Sequence, residues 1–215
     1  MSKELFFLCE PKEFKPGIKI YPPTVKQVIT NEYYGIYNRL LTYSQEEIED
    51  EFIEAQKELE EYPTPIEFML NNAYHSPEYA KRCKEAFEFF IHDKVTFLYE
   101  LKIIIVGDFE KTLKEITSLE ELTMITEEEF FDFQNIIREC VGKKPIEIPD
   151  PNEHPKIREM KRKARYRDKA KAKNAAKKGY GLTLFSMLVS ICCMGVGITP
   201  LNIGEMSYVA LESIL

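Results

Sequence analysis

What this sequence lacks narrows it first. No GxGxxG, GK[ST], HExxH or GxSxG string occurs, so the common signatures of nucleotide binding, zinc proteolysis and serine hydrolysis are absent. Gly179-Tyr180-Gly181 follows a basic run rather than a strand and is no phosphate loop. The three histidines (His75, His92, His154) are scattered, and none of the five cysteines forms a CxxC pair, which argues against a metal centre. The cysteine count is odd and Cys192-Cys193 are adjacent, so reduced thiols in a cytoplasmic setting are expected rather than a disulfide framework. The early apolar run, Leu5 to Leu8, is too short for a secretory signal. Internal repeats are absent. Neither a cofactor nor a catalytic residue is expected.

What is present is an uneven distribution of charge. Before Lys156 there are 32 Asp and Glu against 17 Lys and Arg. From Lys156 to Lys178, 12 of 23 residues are Lys or Arg, with only Glu159 and Asp168 acidic. From Gly179 to Gly204 no residue is charged. The net charge of -7 therefore conceals blocks of about -15, +10 and -2. A basic arm beside an apolar segment points to an interaction with a membrane, a nucleic acid or a protein.

The fold class follows from periodicity and caps. Residues 3–9 and 18–21, separated by Pro11, Pro16 and Gly17, read as short strands or extended segments. Apolar residues at three- and four-residue steps from Val25 to Leu41 predict a helix over 24–42. Capping pairs Ser44/Glu47, Thr64/Glu67, Ser118/Glu121 and Thr126/Glu129, with Ser76-Pro77-Glu78, predict helices over 45–61, 65–74, 77–92, 118–124 and 127–141; a further one is expected over 109–116. Val95–Val106 fits a strand or a buried helix. Residues 143–155 contain four prolines and read as an extended linker. The expectation is a mostly α (α+β) chain. A compact acidic helical domain (1–142) precedes a Pro-rich linker (143–155), a basic arm (156–178) and an apolar C-terminal helical extension (179–215).

Side chains that carry chemistry elsewhere have plain readings in this chain. The runs Glu46-Glu47-Glu49-Asp50-Glu51 and Glu127-Glu128-Glu129 are expected to be solvated helix faces and N-terminal charge. Cys83 and Cys140 are expected in the core, and His75 and His92 at helix ends. On 127–141, Phe130, Phe133 and Ile137 are expected inward, with Phe131 or Arg138 the alternative candidates for a partner surface. Partner contacts are assigned to Arg158, Lys161, Arg162, Arg165 and Arg167 for charge pairing. Phe185, Leu188, Val189 and Ile191 are assigned to apolar contact. Two alternatives remain open. Leu182 to Ile198 reaches the lower length limit of a membrane span and is preceded by positive charge, although Gly195, Gly197 and Thr199-Pro200 interrupt it. The basic arm could also bind nucleic acid, although Tyr166 is its only aromatic residue.

Several strings together carry a resemblance. IYPPTVKQVI (20–29), FFDFQNIIRE (130–139), PDPNEHPKIREMKRKARYRDKAKAK (149–173) and CCMGVGITPLNIGEMSYVALESIL (192–215) resemble the tail assembly chaperones of long-tailed phages and prophages of low-GC Gram-positive bacteria. The resemblance implies a non-catalytic protein in the host cytoplasm that coats the helical tape-measure protein, recruits major tail-tube subunits and self-associates. It transfers no functional residue, because the family has no catalytic motif. It also implies short and frameshifted long forms, with this chain resembling the long form, and the related long forms are expected to continue past Leu215. The composition break at Lys177-Lys178-Gly179 is the natural junction. The parent gene is therefore expected to change reading frame within codons 170–185; sequencing an uninterrupted frame there removes the junction.

Overall fold

The computed structural model describes residues 10–55, 57, 59, 62–109, 122–146, 153–177 and 208. They form a mostly helical α+β chain, as the periodicity predicts. The chain divides into two compact units: residues 1–146 with 204–213, and residues 147–203 with 214–215.

The first unit starts with a hairpin of β1 (Lys12–Lys15) and β2 (Ile18–Ile20), turned at Pro16-Gly17 where Gly17 has φ 87°. The KEFK segment lies outside the two segments expected to be extended; its pairing to β2 makes it a strand. The expected strand over 3–9 lies outside the described residues. Helix α1 (Val25–Thr30) carries a full capping box from Thr24 and Gln27. The single helix expected over 24–42 is two. Asn31 adopts extended backbone and its Oδ1 accepts the Tyr33 amide at 2.9 Å, an Asx turn that restarts the chain as α2 (Tyr34–Thr42).

Helix α3 (Gln45–Glu54) opens on the Ser44/Glu47 box. It stops short of the expected residue 61, because the Lys57 amide reaches back to the Phe52 carbonyl in a wide turn. Helices α4 (Pro65–His75) and α5 (Pro77–Ile91) begin where Thr64 and Ser76 place them. His92 ends α5 in the left-handed conformation, φ 59°, with its ring stacked on Tyr21 at 4.0 Å. Residues 95–106 form an antiparallel hairpin, β3 (Val95–Leu98) and β4 (Ile103–Val106), which β5 (Met124–Ile125) extends. Met124 is thus strand rather than the end of a helix over 118–124. Residues 110–121, with the expected helix over 109–116 and the Ser118/Glu121 cap, lie outside the described residues. Helix α6 (Glu127–Cys140) closes on Gly142 at φ 73°. Residues 143–146 are held to the domain: Lys143 Nζ donates to Thr42 Oγ1 at 2.7 Å, and Ile146 donates to Asn135 Oδ1 at 2.7 Å.

Helix α5 lies at the centre. It packs against α2, α4, β2 and β3, while α6 covers α2, β1 and β5. Phe87, Phe90, Phe130 and Phe133 are fully buried, with Phe87 stacked on Phe133 at 5.5 Å. Phe130, Phe133 and Ile137 point inward as expected, and so do Cys83 and Cys140.

The acidic runs put charge in the first turns of α3 and α6 as expected, and Glu128 is exposed, but several of the others are tied in rather than solvated. Asp50 is buried; Glu47 caps Ser44; Glu51 pairs with Arg39. Glu127 accepts from Thr64 Oγ1 at 2.9 Å and lies 3.2 Å from Lys102 Nζ. Lys102 also pairs with Glu67, so one ammonium bridges the first turns of α4 and α6. Lys102 holds φ 52°, a left-handed backbone that is unfavourable for a residue with a Cβ; both ion pairs offset that cost. Lys102, and then the Thr64 amide, hold the Glu67 carboxyl below its usual range. For Glu129, burial pushes upward, but Lys15 and the Thr126 amide outweigh it and the net shift is downward.

Carboxylates whose pKa is lower folded than unfolded stabilise the fold above their unfolded pKa, about 4.3, and lose that contribution as pH falls through the folded value. Thermal stability is therefore expected to be level near neutrality and to fall below about pH 4.3. Lys102→Met should lower the melting temperature at neutral pH by a few degrees and flatten the acid limb; differential scanning calorimetry across pH reads both.

Candidate interaction surfaces

The nucleophile and ligand candidates resolve first. Burial pushes the thiols of Cys83 and Cys140 up to about 12, so neither is a thiolate at neutral pH. Burial lowers the pKa of His92, which serves as the cap of α5. His75 sits in the last turn of α4 beside Tyr74. Among the described residues no cluster of three His, Cys, Asp or Glu side chains is placed to hold a metal.

Arg138, a candidate for a partner surface from the sequence, is spent inside the domain. Its Nη1 donates to the Thr42 carbonyl and its Nε to the Lys144 carbonyl, each at 2.6 Å. Phe131, the other candidate on this helix, is half-buried. Gln134, one turn before Arg138, donates to the carbonyls of Leu41 and Tyr43 at 3.3 and 3.0 Å. Helix α6 thus caps the C-terminus of α2, where carbonyls lack intrahelical donors and positive charge is favourable.

The surface that sequence reasoning missed is a cleft of about 550 Å³ between α2, α3, α4 and α5. Gly35, Ile36, Arg39, Leu40 and Tyr43 line it from α2 and its end, and Glu51 from α3. Pro65, Phe68, Met69 and Asn72 come from α4, and Tyr79 from α5. Ile36 is 48% exposed there. Tyr43 stacks on Phe68 at 5.9 Å, and the Arg39 guanidinium lies 5.3 Å from the Tyr43 ring and 2.6 Å from Glu51. Burial first, and Glu51 second, push the Tyr43 hydroxyl up to about 12, so the cleft wall stays protonated and neutral at physiological pH. The result is an apolar trough with one ion pair on its edge. Its signal is present as Ile36/Leu40 and Phe68/Asn72 at four-residue spacing. A stripe of that kind reads equally as core.

The predicted charged contacts lie on α7 (Pro155–Lys177) of the second unit. His154 precedes it and accepts the Lys156 amide on Nδ1 at 3.2 Å, with Pro155 at the first helical position. The helix brings Arg158, Lys161, Arg162, Arg165 and Arg167 onto one rod. Arg158, Lys161 and Arg167 are exposed; Arg162 and Arg165 are half-buried. Lys161 pairs with Glu153 at 2.5 Å, and Lys163 with Glu159 at 2.6 Å. Ile157 and Met160 are 49% and 70% exposed between these cations. The predicted apolar contacts Phe185, Leu188, Val189 and Ile191, and the candidate span 182–198, lie outside the described residues. Among the described residues no helix is long and apolar enough to cross a membrane.

No protein-family model, curated protein or solved structure matches this chain. The class that fold and surface define is thus an α+β helical domain with an open apolar cleft, joined to a strongly basic helix.

In the folded chain Cys83 and Cys140 are expected to resist iodoacetamide at neutral pH and to label fully in denaturant. Peptide mass spectrometry reads the difference; rapid native labelling of either would contradict its burial.

Proposed function

We propose that this chain is a non-catalytic tail assembly chaperone acting in the cytoplasm of an infected or lysogenic host. In this reading the cleft between α2 and α4 takes apolar faces of the helical tape-measure protein. The basic helix and the segment after it engage tail-tube subunits or neighbouring copies. The observation that carries the reading is the cleft itself. It exposes Ile36 beside Tyr43, Phe68 and Met69 and keeps its one ion pair at the edge. That is the surface an amphipathic helix seeks, with apolar anchors in a trough and polar contacts on the rim. The sequence strings 130–139, 149–173 and 192–215 add the family resemblance.

Co-expression tests it. The full chain is expected to keep the tape-measure protein of the same phage soluble and to co-purify with it. Ile36→Asp should weaken that complex by about tenfold or more, a loss of about 1.4 kcal/mol or greater. A tape-measure protein that stays insoluble with and without the chain overturns the proposal.

The cation density of α7 favours nucleic acid as the second reading, since eleven of its 23 residues are Lys or Arg. A DNA titration at low salt discriminates: binding that weakens steeply with added salt supports this reading, and no binding removes it.

A further inference from the structure

Two apolar surfaces of this chain stand open to solvent, and they differ in the charge around them. On α7, Ile157 and Met160 are exposed and three residues apart, so they share one face, which the half-buried Ala164 continues. Exposed cations flank the pair at Lys156, Arg158 and Lys161. Eleven cations against two carboxylates, Glu159 and Asp168, leave the helix nine positive charges in excess. An isoleucine and a methionine held in water on such a helix gain free energy wherever they are buried.

The cleft of the first unit has the opposite surroundings. Ile36 and Leu40, four residues apart on α2, line it with Phe68 and Met69 of α4. Its α3 wall is acidic: between Gln45 and Glu54 that helix has six carboxylates and neither Lys nor Arg. Glu47 is taken up in the cap of α3 and Asp50 is buried, whereas Glu54 is exposed and Glu51 stands at the cleft edge with Arg39. An apolar trough with an acidic wall matches a helix that shows an apolar pair between cations.

We propose that the cleft of one copy receives the N-terminal half of α7 from a second copy. Ile157 and Met160 are the anchors in the trough, and the flanking cations meet the carboxylates of α3. This is the helix-in-groove mode, with apolar side chains one turn apart giving retention and the charges giving orientation. The two surfaces are different patches, so the contact is head-to-tail. Each pair therefore keeps one unused cleft and one unused helix, and association runs past the dimer unless a ring closes. The cleft is the one in the proposed function, so a second copy and the tape-measure protein compete for it, but the contact itself does not depend on that protein.

Sedimentation velocity on the full chain reads it. At low salt the sedimentation coefficient is expected to rise with concentration past the value of a dimer, and added salt should return it toward the monomer. Ile36→Asp in the cleft, and Ile157→Asp with Met160→Asp on the helix, should each raise the concentration needed for association by about tenfold or more. Mixing the two variants discriminates further. One retains an intact helix and the other an intact cleft, so together they should form a one-to-one pair that grows no further. Ile157 and Met160 lie on the surface of α7, so their variant keeps its fold even where Ile36→Asp disturbs the first unit; circular dichroism checks both. A chain that stays monomeric across the series, association that survives both variants, or a mixture of folded variants that stays monomeric would each overturn the inference. None of these outcomes involves the tape-measure protein, so failure here leaves the proposed function to its own co-expression test.

Discussion

The fold of the first unit depends on the need to enclose Phe87 and Phe90 from every side. They sit on one helix, and no single neighbour can cover that helix. β2 and β3 supply part of the cover, α2 and α4 supply more, and Phe130 and Phe133 of α6 complete it. Each fully buried phenylalanine contributes on the order of 2–3 kcal/mol, and each aromatic pair about 0.5–1.5 kcal/mol beyond area. With Phe87, Phe130 and Phe133 in mutual reach and Phe90 fully buried on the same helix as Phe87, this cluster outweighs any polar contact on the surface. Helix α6 is pinned by it although it follows α5 only after the three-stranded sheet.

Once α6 is fixed by its aromatic stripe, its other residues acquire work. Gln134 and Arg138 are one turn apart and therefore share a face, and that face meets the end of α2. Three carbonyls at the end of α2, buried or partly buried, are satisfied by a helix some ninety residues later in sequence. The arrangement leaves the Gln134 Oε1 buried with no partner among the described residues. An unmet acceptor costs about 1–3 kcal/mol, less than leaving the three carbonyls unmet would.

The sequence is legible where structure is decided locally. A hydroxyl followed three residues later by Glu marks a helix start whatever lies around it, and Ser44, Thr64 and Thr126 each hold the predicted box. It is illegible where the decision is made at a distance. Asn31 interrupts α1 and α2 through one side-chain hydrogen bond, against an apolar period that continues through it. Lys102 turns a β-hairpin with a backbone conformation unusual for lysine, and the carboxylates that favour it come from Glu67 and Glu127. Nothing between 95 and 106 announces those partners. The cleft is hidden for a similar reason. Ile36 and Phe68 have the pattern of core residues, and only the assembled helices α2 to α5 show the cleft they line.

Charge separation in this chain is therefore not a simple matter of an acidic surface facing a basic arm. Within the first unit Glu47, Glu51, Glu67, Glu127 and Glu129 are already bound to caps or to cations, and Asp50 is buried. These carboxylates hold helix starts and bridge elements, while the net charge of about -15 before Lys156, which already counts their cation partners, persists as a long-range acidic field. On α7 the balance is reversed. It carries Glu159 and Asp168 against eleven cations, so most of its positive charge exceeds what its own carboxylates can neutralise. In the proposed reading, long-range attraction of an acidic partner at low ionic strength falls to the basic helix, and short-range apolar recognition to the cleft. A partner that engages both would be drawn in by the first and retained by the second, with salt weakening capture more than retention.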